Sequence, residues 1–487
     1  MSYGRAIATN TLWMVSGKAL TTVLSLALVA ALAQSLGVFR FGEYTTAFAY
    51  LTFFGVIADF GFLAIFVREL AKHSDLEEEI TANLLALRAV FGIAVYALAA
   101  VTIWLFPYTI SVKWGVMILA AASFLLSTNN TLIGVFQARH EMSKAVLGDV
   151  VSRAVLLGFA LYGLRIGWDL IPIFWLYLGA NLLNLLITYW LISHRLTLRL
   201  AFDFKRWKYF FREAWPLGVI TVLSIIYFRI GTIILSVEKS PIDVGIYGAP
   251  FKIFEFLTIV PAIFMGNVFP VITRLKDEPE RAARFIQAAL DTLLILGVGT
   301  SVGLALLAKP VIGLVAGAEF QTTSTYAIGG LSVTAVHVLA LLSVALLAIF
   351  LAQLWSYVVI AHSRQHVLIR SGIWAVVLNI ALNLYLIPKG SYVAATLVTI
   401  LTEVFILVFW QRAARAILPV SPNFRQLPKI FVAGLFMAGV VWLLRDYSLA
   451  LPIVTGGGLY LLLLWWWRVI PVELATIFKS RNQGVKI

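Results

Sequence analysis

The sequence predicts an all-α membrane protein of about 14 transmembrane helices, forming two parallel six-helix lobes around a central cavity with two extra C-terminal helices. Three observations predict it: an excess of apolar residues, long hydrophobic windows recurring along the whole chain, and a basic bias that alternates between successive connections. Apolar residues make up 61% of the 487 positions and charged residues 12%, against roughly 45–50% and about 25% in soluble domains. Mean hydropathy is +0.95. Many windows exceed the roughly 18 residues at which a helix can cross the hydrocarbon core, so the bilayer is the solvent.

The predicted spans begin near residues 9, 42, 84, 113, 146, 171, 214, 245, 285, 327, 368, 391, 427 and 449. With the N-terminus inside, the inner segments hold 26 Lys/Arg, among them Arg68, Lys72, Arg139, Lys144, Arg195, Lys205, Arg206, Lys208, Arg212, Lys479, Arg481 and Lys486. The outer loops hold seven: Arg40, Lys113, Arg165, Lys239, Lys309, Lys389 and Arg445. That bias places both termini in the cytoplasm, and the expected location is the cell's cytoplasmic (inner) membrane. Ala31-Leu32-Ala33 can be read as a signal-peptidase site, but losing the first span would break the alternation of charge. Trp104, Trp114, Trp168, Trp207 and Trp215 fall near span ends, where amphipathic rings anchor at the headgroups.

Four segments follow: an N-lobe at 1–193, a cytoplasmic linker at 194–213, a C-lobe at 214–413, and the last two helices with a tail at 414–487. The linker interleaves Phe202, Phe204, Trp207, Phe210 and Phe211 with Lys205, Arg206, Lys208 and Arg212, the pattern of a basic amphipathic segment on an anionic leaflet. Gly42-Glu43-Tyr44, opening the second span, is echoed by Gly245-Ile246-Tyr247, opening the eighth. Ala138-Arg139-His140 is echoed more weakly by Ser363-Arg364-Gln365-His366. Such echoes indicate parallel repeats, which in transporters place a substrate site at the repeat interface and alternate its access by rocking. Pro250, Pro261 and Pro270 predict an eighth span that is not straight. Gly297, Gly299 and Gly303 read as close-packing positions in the ninth.

An ionisable residue within a span is costly and usually faces a cavity or a partner. Lys18 and Arg153 rise from the inner side and Arg229 and Lys252 descend from the outer side, all to a depth of roughly 10–13 Å. Four cations on both walls of a cleft would hold an anionic group such as a phosphate or pyrophosphate. Local pairing is the alternative for Lys252, three residues from Glu255, and for Lys18, expected to reach Asp59 at matching depth. Arg153 and Arg229 are expected to lack a carboxylate partner on their own spans and are the leading candidates. The intramembrane acids Asp59, Glu255, Asp291 and Glu403 are candidates for charge pairing or for coupling to H⁺ or Na⁺, Glu403 lying closest to the midplane. His337 could titrate near neutral pH but reads first as a hydrogen-bonded core residue, and Asn379 with Asn383 read as glue between helices, with contact to sugar hydroxyls the alternative.

There are no cysteines, which excludes disulfides and thiolate metal sites. The net charge of +14 does not indicate nucleic-acid binding, because the basic residues are not gathered on a solvated domain. No outer loop is long enough to fold a catalytic domain, and no nucleotide-cradling glycine loop or nucleophile motif is present, so the expectation is a transporter and not an enzyme.

Three blocks of the chain carry a family resemblance. The first runs through Asn10, Gly17, Leu36-Gly37-Val38-Phe39-Arg40-Phe41-Gly42-Glu43-Tyr44, Asp59-Phe60-Gly61 and Arg68-Glu69. The second is Tyr227-Phe228-Arg229-Ile230, Val244-Gly245-Ile246-Tyr247 and Phe269-Pro270. The third is Asn379 with Asn383-Leu384-Tyr385-Leu386-Ile387-Pro388, Ala394-Ala395-Thr396 and Glu403. Together they resemble the Wzx-type polysaccharide flippases of the multidrug, oligosaccharidyl-lipid and polysaccharide exporter superfamily. Gly231 departs from the pattern, standing where the family often has aspartate, and Val393 stands where glycine is usual. The resemblance implies a flippase moving a polyprenyl-pyrophosphate-linked oligosaccharide from the inner to the outer leaflet through a cationic cavity. It implies no bound cofactor, and as partners the lipid-linked glycan, membrane lipids and other polysaccharide-assembly proteins. The competing readings are a multidrug or organic-cation exporter of the same superfamily, a flippase of a lipid-linked peptidoglycan precursor and, in a different class, a membrane polysaccharide polymerase or glycosyltransferase.

Overall fold

The computed structural model describes residues 3–194, 197, 199–275, 277–417 and 423–471. Of the basic residues in the charge bias, Arg195, Lys479, Arg481 and Lys486 lie outside the described residues, and Asn10 is described by its backbone alone. The chain is nearly all helix and divides into two compact units, Met1–Gly245 and Ile246–Ile487.

The first unit is built from α1 (Tyr3–Asp59), α2 (Phe62–Lys72), α3 (Glu77–Thr102), α4 (Ile110–Ala138), α5 (Met142–Arg165), α6 (Leu170–Ser193) and α7 (Phe204–Glu238). It ends in the first residues of α8 (Pro241–Leu257). The second unit continues with α9 (Ile259–Arg274), α10 (Pro279–Leu306), α11 (Ala308–Val315) and α12 (Glu319–Thr322). It then holds a hairpin of β1 (Tyr326–Ile328) and β2 (Leu331–Val333), followed by α13 (Ala335–Ala361), α14 (Gln365–Ile417), α15 (Leu427–Leu444) and α16 (Ala450–Trp466).

Eleven membrane-spanning stretches are long and apolar enough among the described residues. Two of them are more than twice the roughly 20 residues a crossing needs, and each breaks inside: α1 at Gly37, with φ 73°, and α14 at Ser391, with φ 47°. Counting each as two crossings and adding the shorter apolar α16 gives the expected 14. Gly37 reaches its left-handed conformation without the Cβ penalty that another residue would carry. The apolar faces left open suit lipid: Leu443, Val454, Trp465 and Trp466 are all largely exposed on or beside the last two helices.

The second span breaks again where α1 ends at Asp59 and α2 begins at Phe62, with Phe60 and Gly61 both at positive φ. Gly218 of α7 crosses there. A Cβ on Gly61 would stand 2.9 Å from the Leu217 side chain, and one on Gly218 would stand 2.8 Å from the Phe60 carbonyl. The eighth span is parted at Thr258, as the prolines predict. Pro261, three residues on, supplies no N–H to the Leu257 carbonyl, so the helical ladder cannot run through.

Two expectations are corrected. The tenth span does not begin at residue 327. Residues 326–333 form the hairpin, Tyr326 opposite Val333, turning through Gly329 and Gly330 at positive φ as a tight two-residue turn requires. The helix starts at Ala335, where Thr334 and His337 cap each other's backbone, His337 Nδ1 accepting from the Thr334 N–H at 3.1 Å. The linker is not wholly a surface segment. Asp203 caps α7 and, with Phe202 and Phe204 left exposed, Trp207 and Phe210 pack at 9% and 2% exposure into a core with Phe62, Phe66, Leu84 and Val135. Trp207 is therefore no headgroup anchor, whereas Trp104, Trp114 and Trp215 are exposed as anchors should be. Several inner cations of the charge bias are also paired, which leaves the bias itself unchanged: Arg206 bonds Glu79 at 2.7 Å, Arg68 bonds Glu213 at 2.7 Å, and Arg139 bonds Glu77.

At the other end of the first unit, Glu43 is buried and accepts from Arg40 at 2.8 Å and from the Thr109 hydroxyl, while Arg40 also reaches Asp169 at 2.7 Å. Burial pushes the Tyr108 phenol there up to about 12, and it shares a 2.8 Å hydrogen bond with Ser236. In the ninth span, Gly297 and Gly299 do serve packing: a Cβ would meet Leu347 at 2.8 Å and Tyr460 at 2.9 Å, whereas Gly303 has open space.

Candidate functional site

Five helices of the first unit surround a cavity of about 410 Å³. Each contributes a stripe at helical spacing, because residues three, four and seven apart share one face. On α1 the stripe is Phe48, Thr52, Gly55 and Asp59; on α4 it is Ser123, Ser127 and Asn130. On α5 it is Asp149, Ser152, Arg153 and Leu156, and on α6 Tyr177, Asn181 and Asn184. From α3 come Arg88 and Tyr96.

Two ion pairs stand in the wall. Arg88 is 3% exposed and donates to Asp59 at 2.7 Å and to the Ser127 hydroxyl at 3.0 Å. Arg153 donates to Asp149 at 2.9 Å, one turn earlier on α5, and to the Ser25 hydroxyl at 2.8 Å. Buried against the same wall, Nε and Nη1 of Arg88 and Oδ1 of Asn184 have no hydrogen-bond partner among the described residues. Buried polar groups are normally all satisfied, so this wall holds hydrogen-bonding capacity that the described residues do not use.

Of the expected site residues, Arg153 and Asp59 line this cavity. Two expectations about them are corrected. Arg153 does have a carboxylate on its own span, Asp149, and Asp59 is held by Arg88, not by Lys18. Lys18 is exposed on α1. Arg229, assigned by sequence to the second half, is half-buried on α7 within the first compact unit. In the second unit Lys252 donates to Glu255 at 3.2 Å, the local pairing considered for it. Asp291 is buried and accepts from Gln287 at 2.9 Å, and Glu403 is buried on α14. Asn383 donates to the Asn379 backbone and side chain at 2.8 Å, and Asn379 donates to Thr402 at 3.3 Å, so these amides bind helix to helix.

Sequence reasoning missed Arg88, Asn130, Asn181 and Asn184. Arg88 sits four residues into the predicted third span and counts there as an inner-segment cation. The amides have a legible signal: Ser123-Ser127-Asn130 and Tyr177-Asn181-Asn184 repeat the same i, i+4, i+7 polar stripe inside apolar spans.

A chain of apolar helices whose first unit holds a cavity lined in part by polar and charged side chains fits a multi-pass membrane transporter. Residues 7–276 match the polysaccharide biosynthesis protein family, more than half of the chain, and the chain belongs to that family. It is similar to a Shigella flexneri protein named "Putative O-antigen transporter", 22% identical over 56% of this chain and 68% of that one. A Haloferax volcanii protein named "Probable flippase AglR" is 26% identical over 45% of each chain. Among solved structures, the lipid II flippase MurJ in an inward closed conformation superposes with a TM-score of 0.75 at 13% identity, covering 94% of this chain and 99% of that one. An inward-facing multidrug resistance MATE transporter of the MOP superfamily gives 0.63 at 14% identity, over 82% and 96%. The fold is thus that of MurJ and the MATE transporters. The resemblance of the sequence to Wzx-type flippases of this superfamily stands, and the chain is a flippase-like transporter and not an enzyme.

Proposed function

We propose that the protein moves a polyprenyl-pyrophosphate-linked oligosaccharide from the inner to the outer leaflet of the cytoplasmic membrane by alternating access, with both termini in the cytoplasm. The observation that carries this reading is a cavity with charged and amide side chains in its wall, bordered by membrane-spanning helices, in a chain of the polysaccharide biosynthesis family. Polar and charged side chains are expensive inside a bilayer and persist there where they line a path for polar cargo. An O-antigen transporter and a flippase among the relatives support the cargo class. Other polysaccharide-assembly proteins supply and consume that cargo.

The pyrophosphate needs cations to meet its charge. Lys252 and Arg153 each have a carboxylate at hydrogen-bond distance; Arg229, half-buried on α7, and Lys18, exposed on α1, are the residues assigned to the anion. Glu403 and Asp291 are the acids through which H⁺ or Na⁺ would couple, and no bound cofactor enters.

The test is translocation of a labelled polyprenyl-pyrophosphate oligosaccharide in vesicles reconstituted with purified protein, with organic-cation efflux measured beside it. Glycan translocation without dye efflux is expected. Arg229→Gln should slow translocation by at least about tenfold, the worth of one charge-assisted hydrogen bond. Dye efflux alone would overturn the reading in favour of a multidrug exporter, and unimpaired transport by the Lys18→Gln/Arg229→Gln double variant would remove these residues from the site.

A further inference from the structure

We propose that the cavity of the first unit seats the neutral sugar residues of the cargo and excludes its pyrophosphate, an assignment that rests on the flippase reading. The cavity is lined by charge, but by no surplus of it. Each cation in its wall already faces a carboxylate, Arg88 with Asp59 at 2.7 Å and Arg153 with Asp149 at 2.9 Å. An anion entering would have to displace those carboxylates while they remain in the same wall, and like charges in a low-dielectric site repel strongly. An organic cation meets the mirror-image obstacle, because both acids are engaged.

Beside an apolar majority, the lining carries neutral polar and aromatic side chains suited to carbohydrate recognition. Hydroxyl groups both donate and accept, so a wall that binds them must offer both capacities without net charge. Asn130 lines the cavity half-buried, and its side-chain amide makes no hydrogen bond to any described residue, leaving donors and acceptor available. Asn181 donates to the Tyr177 carbonyl at 2.8 Å, which leaves its own amide oxygen to accept. Phe48, Tyr96 and Tyr177 give flat apolar walls against which the C–H face of a sugar ring can lie. The volume of about 410 Å³ is in the range of ligand sites, roughly 300–1,000 Å³, and far above the share of a single water, about 30 Å³. The anion and the sugars are thus read by different residues: charge at Arg229 and Lys18, amides and aromatic faces in the cavity.

The experiment compares two substrates in vesicles holding the full chain: the lipid-linked oligosaccharide purified from the source cells, and the same lipid trimmed to its first sugar. Asn130→Leu should raise KM for the full glycan about tenfold and leave KM for the trimmed lipid unchanged, with Asn130→Gln restoring most of the loss. Arg229→Gln should raise KM for both. Because the ratio of the two KM values is read on one preparation, a loss of folded protein does not mimic the result; Asn181→Leu provides a second variant on another helix. Equal rises for both lipids, or none in either asparagine variant, would overturn the sugar subsite while leaving the flippase reading in place. A wild-type protein that moves neither lipid would overturn the flippase reading itself.

Discussion

Polar residues within apolar helices are used in opposite ways by the two units. In the second, Asn379, Asn383 and Thr402 close on one another across α14, which doubles back at Ser391, so that their hydrogen bonds hold the two arms of one helix together. In the first, amides at the same kind of spacing on α4 and α6 do not close on one another but face a cavity, and charges that could have been left out of the bilayer are brought to its wall in pairs. Glue needs few atoms and no space. A pathway needs space, and the five helices around it carry polar side chains that the lipid would not solvate. The difference separates a structural use of an intramembrane amide from a functional one by whether the amide bridges two arms of a helix or borders a cavity.

The sharpest way to break this comparison is at the most buried charge. Asp59→Asn removes the carboxylate from Arg88, which is 3% exposed and has no other acid within bonding distance among the described residues. Leaving a buried cation unpaired costs about 3 kcal/mol or more. Arg88→Leu should cost less in electrostatic terms, since Asp59 is only half-buried, 35% exposed, and can be hydrated through the cavity. The expected order, Asp59→Asn more destabilised than Arg88→Leu, with the Asp59→Asn/Arg88→Leu double variant recovering part of the loss, is read from thermal unfolding of protein in nanodiscs. If Asp59→Asn unfolds at the wild-type temperature, the pair is not what holds the wall.

A smaller effect is expected in the second unit. Asn383→Leu removes an interhelical amide whose worth inside a membrane averages about 0.6 kcal/mol and reaches about 1.7. Its unfolding temperature should fall modestly, and KM for the lipid-linked glycan should stay at the wild-type value. A KM change without a stability change would make the Asn379–Asn383 pair a binding element and erase the contrast between the units.

Much of the fold was legible because bilayer thickness and the energetics of insertion leave few choices. Window length and charge bias locate the helices, and Pro261 locates a break that the structure places at Thr258. The hairpin at Tyr326–Val333 was not legible, since its apolar strands merge with the hydrophobic run that follows and only Gly329-Gly330 marks the turn. The site was half legible. Asp59 and Arg153 stand out as charges in apolar windows, but which carboxylate meets which cation depends on helix neighbours that no one-dimensional depth estimate supplies. Lys18 and Asp59 were matched by depth alone, whereas α3 packs closer and delivers Arg88. Asp149, one turn from Arg153, was readable and needed only the i, i+4 rule.

The smallest effect expected is at Glu255→Gln, and it tests the burial argument directly because the chemical change is the one made at Asp59. The Lys252–Glu255 pair spans three residues of one helix at 3.2 Å, with side chains 28% and 36% exposed. Lys252 keeps open surface after the carboxylate is lost, and the glutamine that replaces it retains an oxygen able to accept from the ammonium. The pair is less enclosed by protein than Arg88–Asp59, so the loss at Glu255 should be smaller than at Asp59. Measured side by side in the same nanodiscs, the two carboxylate-to-amide changes should therefore differ widely in unfolding temperature. Equal shifts would mean that the difference in exposure between Arg88 and Lys252 does not set the strength of these pairs, and that the wall of the cavity is no more desolvated than the flank of α8.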